Sequence, residues 1–308
     1  MNLVWLLILG TLWGSSYLFI KIVVAEVPTL TLVTGRLSVA AIVMWIVLRV
    51  LGLSMPRSWR MWRKYVLLGL FGAAAPYALI TWGEQYISSG LASLLQSTTP
   101  IFTVLLSQLW ISDERMTAGK VAGVILGFVG VLLLMLPDLR EAFTGTGSRF
   151  TLLGQLAVVG ASLCYAWTAL YARSRLRGQP PLVSATGQLT MGALWTLAAA
   201  LLTGSSFQLS LSPQAWASWA GLILLGTVLA YGIYYTLIDR VGATFATMVT
   251  YIIPVNGLLL GALVLGEQLS LTVWVSLALI LAGVLLVRGR GERTRAQAQV
   301  ETAPTELQ

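Results

Sequence analysis

With no histidine in 308 residues and a single cysteine, Cys164, this chain can do chemistry only with carboxylates, basic side chains, hydroxyls, amides and aromatic rings. The absence of imidazole removes the commonest proton shuttle, metal ligand and general base together. One thiol excludes a disulfide framework and a cysteine-based metal cluster. No phosphate loop, HExxH, GxSxG or CxxC pattern occurs. Neither a cofactor nor a bound metal is expected. What remains is the chemistry of holding a solute.

Two similar segments concentrate these groups. One reads SSGLASLLQSTTPIFTVLLSQLWISDE, from Ser88 to Glu114, and the other GATFATMVTYIIPVNGLLLGALVLGE, from Gly242 to Glu267. Pro100 precedes Pro254 by 154 residues, and Glu114 precedes Glu267 by 153. Proline lacks an N–H and disrupts the bond to the carbonyl four residues back. Each segment is therefore expected to be a helix broken at its proline. In a bilayer the freed carbonyl must find a partner. Gln96 and Ser97 flank one kink, Thr250 and Asn256 the other. Ser89, Ser93, Gln96, Thr99, Thr103 and Ser107 recur every three or four residues, a polar stripe that should face protein or water. The kinks and the stripe either meet a solute or only pack against neighbouring helices.

Further candidates surround this pair. Arg36 falls inside a predicted span, where a charge needs a partner or a cavity. Its fork suits a carboxylate or phosphate. The alternatives are snorkelling to the outer face or capping the carbonyls of a broken helix. Lys21, nearer a span end, is expected to snorkel. Trp13 lies mid-span beside Ser16, with Tyr17 one turn on. Tyr165 and Trp167 stand near the repeat-related positions, and Tyr77 corresponds to Tyr231, which Tyr235 follows. Tyr251 adjoins the second kink. If Trp13, Ser16, Tyr17, Tyr77, Gln96, Thr99, Tyr165, Trp167, Tyr231, Tyr235, Tyr251 and Asn256 converge, the cavity is aromatic with a few polar groups. Such a cavity suits an apolar or aromatic solute; the alternative is that these rings only pack. No carboxylate stands clearly at mid-span. Glu84 is the residue through which proton coupling remains open, against facilitated transport or exchange.

The elements that position these groups follow from composition. Hydrophobic residues make up 57% and charged residues 10% of the chain, against roughly 25% charge in a soluble domain. That much apolar surface implies lipid as the solvent. About 20 apolar residues cross the hydrocarbon. Polar or Pro/Gly-rich breaks give ten predicted spans: 3–24, 29–51, 65–83, 88–110, 117–136, 152–172, 183–203, 214–236, 243–265 and 272–288. The first, with no basic leader and no cleavage site, is read as a retained span. The segment 137–151 is expected to be the longest connection, and 289–308 a polar, disordered cytoplasmic tail.

Arginine and lysine orient the spans. With the N-terminus inside, Arg49, Arg57, Arg60, Arg63, Lys64, Arg115, Lys120, Arg173, Arg175, Arg177, Arg240 and the basic tail fall on the cytoplasmic face; outer loops keep Arg140 and Arg149. The net charge of +8 is thus a topology signal, and nucleic acid is not an expected partner. Five spans per half is an odd number, so the second half starts from the opposite side and the repeats are inverted. The fold expected is all-α and integral to the membrane: ten helices, two inverted five-helix repeats (1–137 and 152–288), both termini in the cytoplasm.

Each half therefore reads as small residues, a central proline, a glutamate, and a Gly-rich span ending GVLLL (Gly130–Leu134) or GVLLV (Gly283–Val287). With ILGTLWGSSYLFIK at Ile8–Lys21 and GRLSVAAIV around Arg36, the chain up to Val287 resembles the EamA-type branch of the drug/metabolite transporter superfamily. The resemblance implies a ten-helix inverted-repeat transporter. It also implies a central cavity among helices 1, 3, 4, 6, 8 and 9, and often export of amino acids or related metabolites. An inner-membrane exporter of amino acids with aromatic or apolar side chains, working by alternating access, is the leading expectation. Nucleobases, amines and cationic xenobiotics are alternative solutes, and an enzyme acting on lipids is an alternative class. Gly119, Gly123 and Gly127 on the fifth span allow close helix approach, either within the bundle or in a weak dimer.

Overall fold

The computed structural model describes residues 2–110, 117–144, 148–176, 178–207, 210–241 and 246–287. Within them the chain forms ten helical spans. They are α1 (Asn2–Val24), α2 (Thr29–Val50), α3 (Trp59–Gly83), α4 (Ser89–Gln96, resuming as Thr99–Trp110) and α5 (Ala118–Thr144). They continue as α6 (Arg149–Arg175), α7 (Pro181–Leu202), α8 (Pro213–Ile223 through Ala230–Val241), α9 (Val249–Leu265) and α10 (Leu271–Val287). Eight of these are long and apolar enough to cross a membrane by length and composition; Val249–Leu265 and Leu271–Val287 are apolar but shorter. Large apolar side chains such as Ile42, Val50, Leu132, Leu202 and Leu263 project outward, as expected where the surrounding medium is hydrocarbon rather than water.

The helices run past several of the predicted ends. α3 begins at Trp59, because the basic turn Arg60–Lys64 is itself helical. α5 runs through Pro137 to Thr144, so the expected connection 137–151 is mostly helix. A proline forfeits one backbone bond, and the extension is held from outside: Gln155 Nε2 on α6 donates to Asp138 Oδ2 at 2.6 Å. Glu114 and the tail fall outside the described residues.

Packing is reciprocal between the halves. α2 lies along α7 and α5 along α10; α1 packs on α9 as α6 packs on α4; α3 packs on α6 as α1 packs on α8. Where α5 meets α10, a methyl placed on Gly123 would sit 2.6 Å from the Gly283 carbonyl oxygen, and one on Gly283 would sit 2.6 Å from that of Gly123. Close approach inside the bundle is therefore what this stretch of α5 provides.

α3 and α8 share an irregularity. Each is interrupted by a π segment, Leu70–Ala74 in the first and Leu224–Leu229 in the second. Their starts are 154 residues apart, the spacing of Pro100 and Pro254. A π turn widens the helix and leaves backbone groups off the ordinary ladder, which is why such turns collect at functional sites.

Candidate functional site

Arg36 is a buried charge, and α2 delivers it to the π segment of α8. Its guanidinium Nε donates to Thr227 Oγ1 at 3.0 Å, and Thr227 Oγ1 in turn donates to the Leu222 carbonyl at 3.0 Å. The guanidinium carbon lies 4.2 Å from the centre of the Tyr77 ring. Arg36 is 5% exposed, so it does not snorkel; a hydroxyl and an aromatic face compensate its burial. Tyr17 from α1 is buried within electrostatic range of Arg36, Tyr77 and Glu84, and Tyr165 from α6 within range of Arg36, Tyr17 and Tyr77. Tyr17, Arg36, Tyr77 and Tyr165, from four helices, thus lie within electrostatic range of one another, and Tyr77 makes the ring contact with the cation.

A second group stands beside it. Trp13 packs edge-on to Tyr231, with ring centres 6.3 Å apart, and against Tyr234 at 5.2 Å. Gln188 on α7 reaches the other π segment: its Nε2 donates to the Gly72 carbonyl at 2.7 Å and lies 3.4 Å from the Tyr231 hydroxyl. Each π segment therefore receives a polar side chain from the second helix of the opposite half, Arg36 in one case and Gln188 in the other. Sequence reasoning missed Gln188 and Thr227. The signal available was two glycines, Gly72 and Gly226, 154 residues apart in apolar runs. Ser16 faces Gly226 and donates to its own helix at Leu12.

Helices α4 and α9 differ from expectation and from each other. In α4 the helix stops at Gln96, turns through Ser97 and Thr98, and restarts at Thr99, with Pro100 in the first turn. A proline in a first turn forfeits little. The carbonyl that Pro100 frees, that of Gln96, accepts from Thr99 Oγ1 at 2.9 Å and lies 3.3 Å from Ser162 Oγ of α6. Gln96 Nε2 donates to Thr99 Oγ1 at 3.0 Å. In α9, by contrast, the helix Val249–Leu265 is continuous through Pro254, and the turn lies upstream at Thr247–Met248. The expected break at Pro254 is thus displaced by more than one helical turn. Tyr251 packs half-buried against the main core; Asn256 donates to Thr11 Oγ1 of α1 at 3.3 Å.

Not every candidate joins these groups. Trp167 stacks on Tyr171 at 4.7 Å and packs on Phe71, in a separate cluster with Tyr65 and Leu68, so it stands apart from Trp13. The side chain of Tyr235 lies outside the described residues. Lys21, expected to snorkel, instead donates to the carbonyls of Glu84 at 2.5 Å and Ile87 at 2.7 Å, closing the C-terminal end of α3. Glu84 itself is 0% exposed.

At the same end of the bundle, carboxylates hold helix N-termini, where backbone N–H groups point at an anion. Glu267 accepts from Ser89 N at 2.7 Å, Ser89 Oγ at 2.9 Å and Gly90 N at 2.9 Å at the start of α4. Glu26, in the turn between α1 and α2, accepts from Ser212 N at 2.7 Å and Ser212 Oγ at 2.6 Å at the start of α8. A cavity of about 530 Å³ lies here, walled by Lys21, Glu26, Glu84, Gln85 and Tyr86 among others; one of about 520 Å³ at the opposite end is walled by Arg57 and Gln179 among others. Both sit at the ends of the bundle rather than among the aromatic groups.

Comparison with known proteins gives a consistent result. The EamA-like transporter family matches residues 1–136 and again 152–289. The chain is 27% identical over 290 residues to an uncharacterized transporter of Synechocystis, sll0355, covering 91% of this chain and 87% of that protein. It is 26% identical over 277 residues to the uncharacterized inner membrane transporter YedA of Escherichia coli, covering 90% and 87%. It is 27% identical over 308 residues to a protein of Streptantibioticus cattleyicolor named "probable terminal-alkyne amino-acid exporter", covering 96% of each. A crystal structure 20% identical in sequence superposes with a TM-score of 0.63 over 95% of this chain and 98% of that one, a likeness of fold. These names are those of transporters rather than enzymes.

Proposed function

The chain belongs to the EamA-like transporter family, and from that premise we propose that it is a secondary exporter of amino acids with aromatic or apolar side chains, resident in a bacterial-type inner membrane and working by alternating access. Its halves, 1–137 and 152–288, are inverted five-helix repeats with both termini in the cytoplasm. The observation that carries this reading is the reciprocal pairing of helices across the halves, with π segments 154 residues apart. Two like bundles in mirrored contact can rock about a shared centre.

In this orientation Glu26 and Glu267 lie at the outer end, and their bonds to the starts of α8 and α4 hold that end shut. The solute carboxylate meets Arg36, whose Nε is held by Thr227 and whose guanidinium lies over the Tyr77 ring. The side chain of the solute meets Trp13, Tyr77 and Tyr231. The name of the Streptantibioticus relative, which specifies an amino acid with an apolar alkyne side chain, supports that solute class.

Counterflow in proteoliposomes tests the proposal. Vesicles preloaded with phenylalanine, leucine, adenine or a quaternary ammonium drug are given a trace of the same solute in labelled form. Accumulation with phenylalanine or leucine, reduced in Trp13→Ala and Tyr77→Ala, is expected. Accumulation with adenine or the drug alone would replace the amino-acid reading.

A further inference from the structure

Glu84 is a carboxylate that the transport scheme above leaves unused. It follows the last residue of α3, is 0% exposed, and neither Oε1 nor Oε2 has a hydrogen-bond partner. An ionised carboxylate held this way is strongly disfavoured, because burial removes its water and nothing replaces it. The bonds that the neighbouring cations make go to groups other than its carboxylate. Lys21 Nζ donates to the backbone carbonyls of Glu84 and Ile87, and Arg36 Nε to Thr227. The titratable and charged groups within electrostatic range of Glu84 are Tyr17 and Lys21 from α1, Arg36 from α2 and Glu267 from the segment after α9; α6 meets this end of α3 through Gly154 and Val158 against Gly83. Glu84 also belongs to the wall of the 530 Å³ cavity while its oxygens are shut away from solvent. Water is therefore one side-chain movement away.

We propose that Glu84 is a proton-exchange site that couples export to the proton gradient, with Lys21 as its alternate partner. In the conformation described the carboxyl is neutral. When the inward-facing cavity extends between α1 and α3 as far as Glu84, with the outer end still held by Glu26 and Glu267, the O–H bond breaks, the proton passes to water as hydronium, and the electron pair stays on Glu84 as a carboxylate. Lys21, whose third N–H is uncommitted among the described residues, then turns from the α3 carbonyls to that carboxylate. Re-exposure to the outer side returns one proton from hydronium, and Lys21 goes back to the carbonyls. One proton enters as one solute leaves. Protonation is thereby linked to the α1–α3 contact that Lys21 bridges. This step rests on the transporter reading, since it assumes a cycle to couple.

Two measurements on the full chain test it. Infrared spectra of the protein in liposomes at neutral pH should contain the C=O stretch of a neutral carboxylic acid. That band should shift in Glu84→Asp and be lost in Glu84→Gln. Its absence from the wild type, or its persistence in Glu84→Gln, overturns the proposal, and this arm needs no solute. Labelled phenylalanine supplies the second arm. Net flux driven by a pH gradient should be lost in Glu84→Gln far beyond any loss of phenylalanine exchange, and Glu84→Asp should recover it. A residue that only holds the fold would lower both fluxes together. Wild-type net flux that ignores the gradient also overturns the coupling. Failure of all phenylalanine exchange would instead strike the choice of solute, leaving the infrared result to decide on Glu84.

Discussion

Helices α3 and α8 carry their irregularities at matched positions, whereas α4 and α9 carry theirs at different ones. The π segments begin at Leu70 and Leu224, in the register that also relates Pro100 to Pro254. In that same register Ser97 and Thr98, which interrupt α4, correspond to Tyr251 and Ile252, which are helical in α9. Similar sequences thus hold different backbones, and the difference comes from what each helix meets. α4 has Thr99 and Ser162 beside the carbonyl that its proline frees, while the start of α9 belongs to an apolar cluster with Leu6 and Leu9 of α1. The account assigns the matched pair to the pivot and the unmatched pair to the gates. In an inverted repeat the two gates exchange roles between the inward- and outward-facing states.

The pivot should be the more sensitive of the two. Arg36→Ala is predicted to remove the charged bond to Thr227 and the ring contact with Tyr77, costing about 2–4 kcal/mol and abolishing counterflow. Arg36→Lys should recover stability in part but not flux, because an ammonium lacks the fork. Thermal unfolding in detergent and counterflow read the two separately, and a stable, fully active Arg36→Ala would remove the pivot from the account.

At the gates the effects should be smaller. Glu267→Ala is predicted to release the start of α4, losing about 1–2 kcal/mol as for a lost helix cap and raising the labelling rate of a cysteine placed at Ser89. An unchanged labelling rate would mean that Glu267 holds nothing closed. The prolines sharpen the contrast further. Pro254→Ala restores a mid-helix donor to the Thr250 carbonyl, a bond of about 1 kcal/mol, and should slow flux several-fold. Pro100→Ala changes a first-turn residue and should slow it less. Equal rates would show that the two breaks are functionally alike despite their different backbones.

The smallest predicted effect is one of pH. Side-chain and backbone hydrogen bonds from Ser212 hold the Glu26 carboxyl below its usual range. A depressed folded value means that its contribution to stability is complete above the unfolded carboxylate range of about 4.3 and is lost as pH falls through the folded value. Glu26→Gln should flatten the acid limb of the unfolding curve slightly; an unaltered limb would show that the surface contact contributes nothing.

Much of this was legible in the residues. Ten spans, the paired Pro–Glu segments, and Arg36 as a charge in need of a partner follow from hydropathy, spacing and the cost of a buried charge, whereas its contact with Tyr77 is visible only in the structure. The π segments were not legible, because a run such as Leu70–Ala74 has no composition distinct from ordinary apolar helix. Gln188 was hidden for the same reason: its meaning depends on the Gly72 carbonyl that a π turn exposes. The position of the break in α9 was misread because proline marks where a bond is missing, while the neighbours decide where the helix bends. Glu84 read as a residue at a span end, and only packing reveals that its carboxyl is enclosed.

The central claim is that flux requires the outer end, closed by Glu267 on Ser89 and Gly90, to open. Ser89→Cys and Glu267→Cys, combined in a Cys164→Ser background, allow that end to be bridged by a short reducible crosslinker. The account predicts that bridged protein loses phenylalanine counterflow and regains it on reduction. Full counterflow with the bridge intact would contradict it.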